Sequence, residues 1–366
     1  MRRATGVFDP LPEGITSYTS GQTLVFAAPR QVTFEPEDLP PLGPREVRLR
    51  TLYSGISAGT EITAYRGTNP YLHKRWDAEK RLFRPDDTPT QAYPLRGWGY
   101  EEIGEVVELG AEVEDVPLGT RVFGVWGHRT HAVVSSEYAG DRQMPDSLDP
   151  ILGIFSRIGS IALNGLHDGR IRLGETVAVF GLGVLGQIVA QGARRSGATV
   201  IGVDLHPPRL ELARRLGVDV ALDGGAPGVA EAIKDLTGGR GADVCFEVTG
   251  AAPALNEAIR AAAYSARVVA MGFLQGEARS LYLGEEFHHN RINLVCSQIS
   301  GTDPELKYRW DALRLAQTAM ELQARGWWDL RPLVSHVRPF GEAAALFDLL
   351  DRQPGDVMQA VLDFRA

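Results

Sequence analysis

Cysteine is nearly missing from this chain: its 366 residues include two, Cys245 and Cys296, each inside an apolar, strand-like run. Two thiols can build neither a disulfide framework nor a four-cysteine zinc site, and a reducing, cytoplasmic setting is the expectation. Long apolar runs are missing as well. No stretch approaches the roughly 18 residues a membrane helix needs. The first residues, MRRATGVFDPLPEG, carry two arginines with no apolar block behind them, so no signal peptide is expected. Positive charge is in deficit too: a formal charge of −8 argues against nucleic acid or an anionic membrane as partner. Repeats and low-complexity tracts are absent. What is present, 44% hydrophobic and 23% charged residues, is globular composition in a chain too long for one ordinary core, so two domains are expected.

From about residue 20 to 150 the chain reads as short β-segments broken by Gly and Pro. EVRLRTLYSG alternates Val47 and Leu49 with Arg48 and Arg50, the period-two pattern of a half-buried strand. GEVVELG and GTRVFGVWG are similar strands. Between them, residues 66–96 are polar, proline-containing and weakly periodic, an irregular excursion of the kind that serves as a binding loop or lid. From about residue 155 strands and helices alternate: TVAVF, LGQIVAQGARRSG, TVIGVD, PPRLELARRLG, and so on through ARVVAMGF. Apolar strands linked by helices imply a parallel sheet covered on both faces. The strand INLVCSQIS, a long helix over ELKYRWDALRLAQTAMELQARG and a strand–helix–strand tail follow, the tail returning to the first domain.

Gly181 to Gly186, GLGVLG, has G-x-G-x-x-G spacing between a strand and a helix, the context its mechanism requires. Gly181 permits the tight turn, Gly183 lets backbone approach a pyrophosphate, and Gly186 allows close helix–strand packing. The N–H groups of Val184 and Leu185 then face the phosphates. Eighteen residues past Gly186, at the end of the next strand, stands Asp204. A carboxylate there accepts from both ribose hydroxyls of NAD and repels the extra phosphate of NADP. Arg209 is placed to soften that preference, with Asp204 outweighing it, so NAD(H) is the cofactor expected.

The blocks RLRTLYSGISAGTE, GYEEIGEVVELG, GTRVFG, GETVAVFGLGVLG, FEVTG and ARVVAMGF, in this order, resemble the medium-chain dehydrogenase/reductase superfamily over nearly the full length. The resemblance implies an α/β fold: a Rossmann dinucleotide-binding domain at 155–298 plus a chaperonin-10-like, β-rich catalytic domain at 1–154, with 299–366 returning to the latter. It also implies a cleft between the domains, a nicotinamide amide meeting the backbone around Met271, Gly272 and Phe273, and a homodimer paired through the Rossmann edge strand RINLVCSQIS. Thr249 and Gly250 end a strand at the ligand-binding edge of the sheet.

In the zinc alcohol dehydrogenases of that superfamily the first block supplies a cysteine ligand and the second a histidine. Here Ser57 and Tyr100 stand at those positions, Ser156 matches the third ligand, and the cysteine lobe for structural zinc is absent. Neutral hydroxyls are poor zinc ligands, so no metal is expected, and zinc's work passes to hydrogen-bond donors. Tyr100 is the first candidate, Ser57 a relay, and His131 the next donor in line. Glu61 and Glu101 read as structural anions. His128 and His131 are weighed as a metal pair or as substrate-facing groups, His288–His289 as surface, and Trp98 and Trp126 as pocket lining or core. The leading expectation is a zinc-independent NAD(H)-dependent oxidoreductase acting on a small-molecule alcohol/ketone pair. The SGISAGTE turn and FHHNRINLVCSQISG are most similar to a branch that includes bacteriochlorophyllide hydroxyethyl dehydrogenases, although branch does not fix substrate. A quinone or enone reductase and a dinucleotide-binding sensor without turnover are the alternatives.

Overall fold

A computed structural model describes residues 18–85 and 88–366; the N-terminal stretch read against a signal peptide lies outside the described residues. The alternating strands and helices of the second half build one six-stranded parallel sheet. Its spatial order is Val220–Asp223, Thr199–Asp204, Thr176–Phe180, Ala242–Glu247, Ala262–Ala270, Asn293–Cys296. The central strands are buried along nearly their whole length because helices cover both faces. The direction of winding reverses between Thr176–Phe180 and Ala242–Glu247, which opens a crevice at their carboxyl ends. This is the Rossmann arrangement, and that crevice is where such folds bind ligands.

The first half is β-rich. Ser20–Ala28 pairs with Gln31–Asp38 and with Leu95–Arg96. A second sheet runs Val334–Pro339, Gln359–Asp363, Glu46–Ile56, Glu102–Leu109, Arg121–Gly124, with His131–Ser135 also paired to Glu46–Ile56. The C-terminal strand Gln359–Asp363 therefore lies antiparallel to Glu46–Ile56, with Ala360 opposite Ile56. Phe26, Tyr65 and Phe347 interlock across this junction, Phe26 and Phe347 meeting edge to face at 5.1 Å.

Three expectations change. Arg48 does not face solvent: it is fully buried, donating to Glu108 at 2.6 Å and to the Pro40 carbonyl at 2.8 Å. Glu46–Ile56 is the centre of its sheet, so neighbouring segments cover the face that alternation alone assigns to water. The long helix after INLVCSQIS begins only at Ala312, because the Asp311 side chain caps it by accepting the Arg314 N–H at 2.8 Å. The 66–96 excursion is not wholly irregular. It carries a short hairpin, Arg75–Asp77 with Leu82–Arg84, stapled by Trp76 against Phe83 at 4.9 Å. At its start the Thr68 hydroxyl donates to Gln275 Oε1 at 3.2 Å, just past Phe273.

Candidate active site

On the nucleotide side, Thr176–Phe180 runs into Gly181, whose φ of 97° suits glycine and few other residues. The helix Val184–Arg195 follows with Gly183 as its N-cap and no side chain capping it, so the N–H groups of Val184 and Leu185 stay open to an anion. A Cβ on Gly186 would lie 1.8 Å from the Gly181 carbonyl oxygen, whereas beside Gly183 the nearest atom is Arg209 Nη1 at 3.9 Å. The first spacing makes the turn close; the second leaves room for a phosphate. Asp204 Oδ2 accepts the Leu182 N–H at 2.7 Å and Oδ1 the His206 N–H at 2.8 Å. Each oxygen keeps a further lone pair. The carboxylate borders a cleft of about 400 Å³ shared with Gly181, Leu205, Arg209, Thr249 and Pro253. Arg209 is engaged through Nη2, which donates to the Pro354 carbonyl at 2.5 Å and the Val357 carbonyl at 3.3 Å, while its Nη1 lies 3.8 Å from Asp204 Oδ2.

The neighbouring strand end is equally tight. Glu247 Oε1 accepts the N–H groups of Thr249 at 2.7 Å and Gly250 at 3.0 Å. A Cβ on Gly272 would lie 2.1 Å from the Gly250 nitrogen, and Met271 packs on Gly165. Phe273 is 42% exposed. The carboxyl edge of the parallel sheet thus gathers Gly181, Gly183, Gly186, Gly250, Asp204, Thr249 and Met271–Phe273 in one place.

On the other side, the strand Glu46–Ile56 delivers Ser54 and Ser57 to the start of the short helix Glu61–Arg66. The Tyr100 phenol donates to Ser57 Oγ. The Ser57 N–H donates to Glu61 Oε1 at 2.9 Å, and Glu61 Oε2 lies 2.6 Å from His128 Nε2. His128 Nδ1 is 2.7 Å from Ser54 Oγ, which donates to Glu102 Oε1 at 3.0 Å, while Glu102 Oε2 accepts the Trp126 N–H at 2.8 Å. Glu61, Glu102 and His128 are at most 1% exposed. Burial alone would lower the His128 imidazole, but Glu61 outweighs it and the net shift is upward. Glu101, also buried, has Gln359 Nε2 at 3.2 Å as its partner. Burial, then Glu61 and Glu102, push its carboxyl well above the usual range. Gly99 opens this block because His128 fills the space of a side chain: a Cβ there would lie 2.9 Å from Nδ1.

Tyr100 is half-buried, and burial followed by Glu101 raises its phenol above the ordinary value of 10. A phenol that keeps its proton donates hydrogen bonds and makes a poor metal ligand. Among the described residues no group of three or more His, Cys, Asp or Glu is arranged to hold a metal ion. The donor set at Ser57 and Tyr100 does not fit zinc.

His131 is not brought to these hydroxyls. It pairs with Arg50, seven residues up the strand from Ser57 and so roughly 20 Å away. Its ring packs on Tyr18 at 4.7 Å, and burial with the Arg48 and Arg50 cations pushes its imidazole down to about 4. The histidine of the site is His128, hidden in the protein rather than facing a substrate. Trp98 and Trp126 pack with the core, Trp126 Nε1 donating to Thr51 Oγ1 at 2.9 Å. His288 and His289 are exposed, as expected.

Arg157 escaped the sequence reading. It is the third residue of the helix Phe155–Gly169, whose first turn holds no acidic residue. A cation there opposes the helix dipole by roughly 0.3–1 kcal/mol. Burial pulls its guanidinium below the ordinary value, and the phenols of Tyr100 and Tyr138 act in the opposite direction. Recognising the helix start after Asp149–Pro150 would have exposed this misplaced charge.

A family model described as zinc-binding dehydrogenase matches residues 184–316. D-guloside 3-dehydrogenase of Escherichia coli is 32% identical over 340 residues, covering 90% of this chain and 96% of that protein. Among solved structures, a protein of Sinorhizobium meliloti described as a zinc-binding dehydrogenase, bound to NADP, superposes with a TM-score of 0.75 at 21% identity, over 94% of this chain and 100% of that one. An Escherichia coli alcohol dehydrogenase complexed with NADH gives 0.74 at 20% identity, over 95% and 100%. With the glycine cradle, the strand order and a relative matching end to end, the chain belongs to the medium-chain dehydrogenase/reductase superfamily, as an NAD(P)-dependent dehydrogenase.

Proposed function

We propose that this dehydrogenase works without zinc, uses NAD(H), and moves hydride between the nicotinamide and a secondary alcohol/ketone pair. The observation that carries the reading is the hydrogen bond between the Tyr100 and Ser57 hydroxyls, two residues that by block resemblance match the positions of zinc ligands in the superfamily's zinc enzymes. Bound NADH supplies the hydride. The chain's own residues supply the rest. Tyr100 donates its O–H to the carbonyl oxygen as negative charge grows there and then passes it the proton. Ser57 turns its hydroxyl to donate to the phenol oxygen, and Glu61 holds the Ser57 backbone in register. A ring alcohol of a sugar is a substrate of the right class, supported by the name of the 32%-identical relative, D-guloside 3-dehydrogenase.

The coenzyme preference rests on Asp204 and on an Arg209 already committed to the Pro354 and Val357 carbonyls. NADH is expected to bind at least about tenfold tighter than NADPH, about 1.4 kcal/mol, with Asp204→Ala weakening NADH and erasing the difference. Fluorescence titration decides this, and equal affinities in the unsubstituted protein would refute it.

Elemental analysis of gently purified protein is expected to find far less than one zinc per chain. Tightly held stoichiometric zinc would overturn the metal-free reading.

The exposed strand Asn293–Cys296 forms the edge of the parallel sheet, with Leu294 37% exposed. Edges of this kind pair or are covered, and pairing across a two-fold axis makes a homodimer. Sedimentation equilibrium is expected to show that dimer; a monomer at all concentrations would rule it out.

Tyr100→Phe keeps the ring and removes the donor. Loss of a hydrogen bond aimed at a developing oxyanion costs about 3–4 kcal/mol, roughly a hundredfold to a thousandfold in kcat, with NADH affinity retained. Ser57→Ala is expected to cost less. Since the phenol lies above its ordinary value of 10, kcat for carbonyl reduction is expected not to fall through Tyr100 ionisation below pH 10. A Tyr100→Phe enzyme within about threefold of the parent, under roughly 0.7 kcal/mol, would reduce the phenol to a packing group.

A further inference from the structure

On the Asp204 side, the coenzyme cleft meets a segment of the other domain. The helix Ala343–Arg352 ends in a short turn, Asp356 donating its N–H to the Gln353 carbonyl at 3.1 Å, before the strand Gln359–Asp363 begins. Val357 closes that turn, its side chain buried in the core that also holds Phe26, Tyr65 and Phe347. Residues 353–357 are thus fixed to the catalytic domain, and from there they reach His206 and Arg209 of the nucleotide domain, both of which line the cleft.

The contact with His206 is steric. A Cβ on Gly355 would fall 2.6 Å from His206 Cε1 and 2.7 Å from Nδ1. Gly355 is not among the glycines with positive φ, so it is bare to admit the neighbouring ring, not to permit the turn. The contact with Arg209 is polar. Both hydrogens of Nη2 go to the loop, one to the Pro354 carbonyl at 2.5 Å and one to the Val357 carbonyl at 3.3 Å. Nε is sealed from solvent with no acceptor. What remains is Nη1, 3.8 Å from Asp204 Oδ2 and 3.9 Å from the point a Cβ on Gly183 would occupy.

A guanidinium takes two phosphate oxygens at once through an end-on fork, Nη1 with Nη2, or a side-on fork, Nε with Nη2. Both forks need Nη2. Arg209 stands in the first turn of the helix Pro207–Arg215, next after Asp204, where an arginine accommodates the extra 2′-phosphate of NADP. Here neither fork is open to it.

We propose that the loop 353–357 is a coenzyme-specificity element acting from the catalytic domain. By holding Arg209 through the Pro354 and Val357 carbonyls it keeps that residue from taking the 2′-phosphate, and the bare Gly355 lets the loop lie close enough to do so. This rests on the NAD(H) reading above and names the contact that enforces it. Asp204 repels the phosphate; the loop withholds the cation that would offset the repulsion. Once released, Arg209 favours NADPH by either route, forking the phosphate or pairing with Asp204 and cancelling its charge.

The test measures NADH and NADPH affinities of the full chain by fluorescence titration. Gly355→Val drives a branched side chain against the His206 ring and lifts the loop from Arg209. The preference for NADH over NADPH is expected to shrink at least tenfold, chiefly through tighter NADPH. Gly355→Ala, a smaller wedge, is expected to shift it the same way by less, and it carries the test where the valine variant does not fold. In an Arg209→Met background the same substitutions at 355 are expected to move the preference by less than threefold. A preference unmoved by either substitution at 355, or a shift that persists in the Arg209→Met background, overturns the proposal and leaves the NAD(H) reading standing. Equal affinities in the unsubstituted protein, or tighter NADPH, sink that reading and this proposal with it, since no preference is then left to enforce.

Discussion

Glu61 and His128 meet at 2.6 Å with neither side chain reaching solvent, and the reaction side of the cleft hangs on that contact. Each partner spends its second polar atom outward. Glu61 takes the Ser57 N–H and so fixes the turn that gives Tyr100 its partner. His128 reaches Ser54, and through it Glu102 and the backbone of Trp126. A buried ion pair of this kind adds little net stability compared with apolar packing, but removing one member typically costs about 3–5 kcal/mol because the other is left charged and alone. Its worth lies in geometry. The hydroxyls stand where they do because two strands and a turn are tied to one imidazole.

Charge balance explains the protonation pattern around it. Glu61, Glu101 and Glu102 are all sealed from water, and among the described residues His128 is the cation near them. One imidazolium cannot offset three carboxylates in a low-dielectric interior. The shifts follow: Glu102 rises through burial, with His128 acting against the rise, and Glu101, with a neutral amide for a partner, is pushed well above the usual range.

The nucleotide half was legible because its determinants are local. A glycine turn, a strand and an acidic residue at fixed spacing state their geometry along the chain, and Gly181, Gly186 and Asp204 fall together as that spacing implies. The reaction half was legible in outline only. Ser57 and Tyr100 were found through block resemblance, yet the choice between His128 and His131 depends on which strand end each reaches, and no local pattern records that. Arg48 misled for a related reason: alternation shows that a strand has two faces, not that a third segment covers one of them. The shorter late helix turned on a single cap, Asp311, whose preference was present in the sequence but outweighed by the apolar periodicity preceding it.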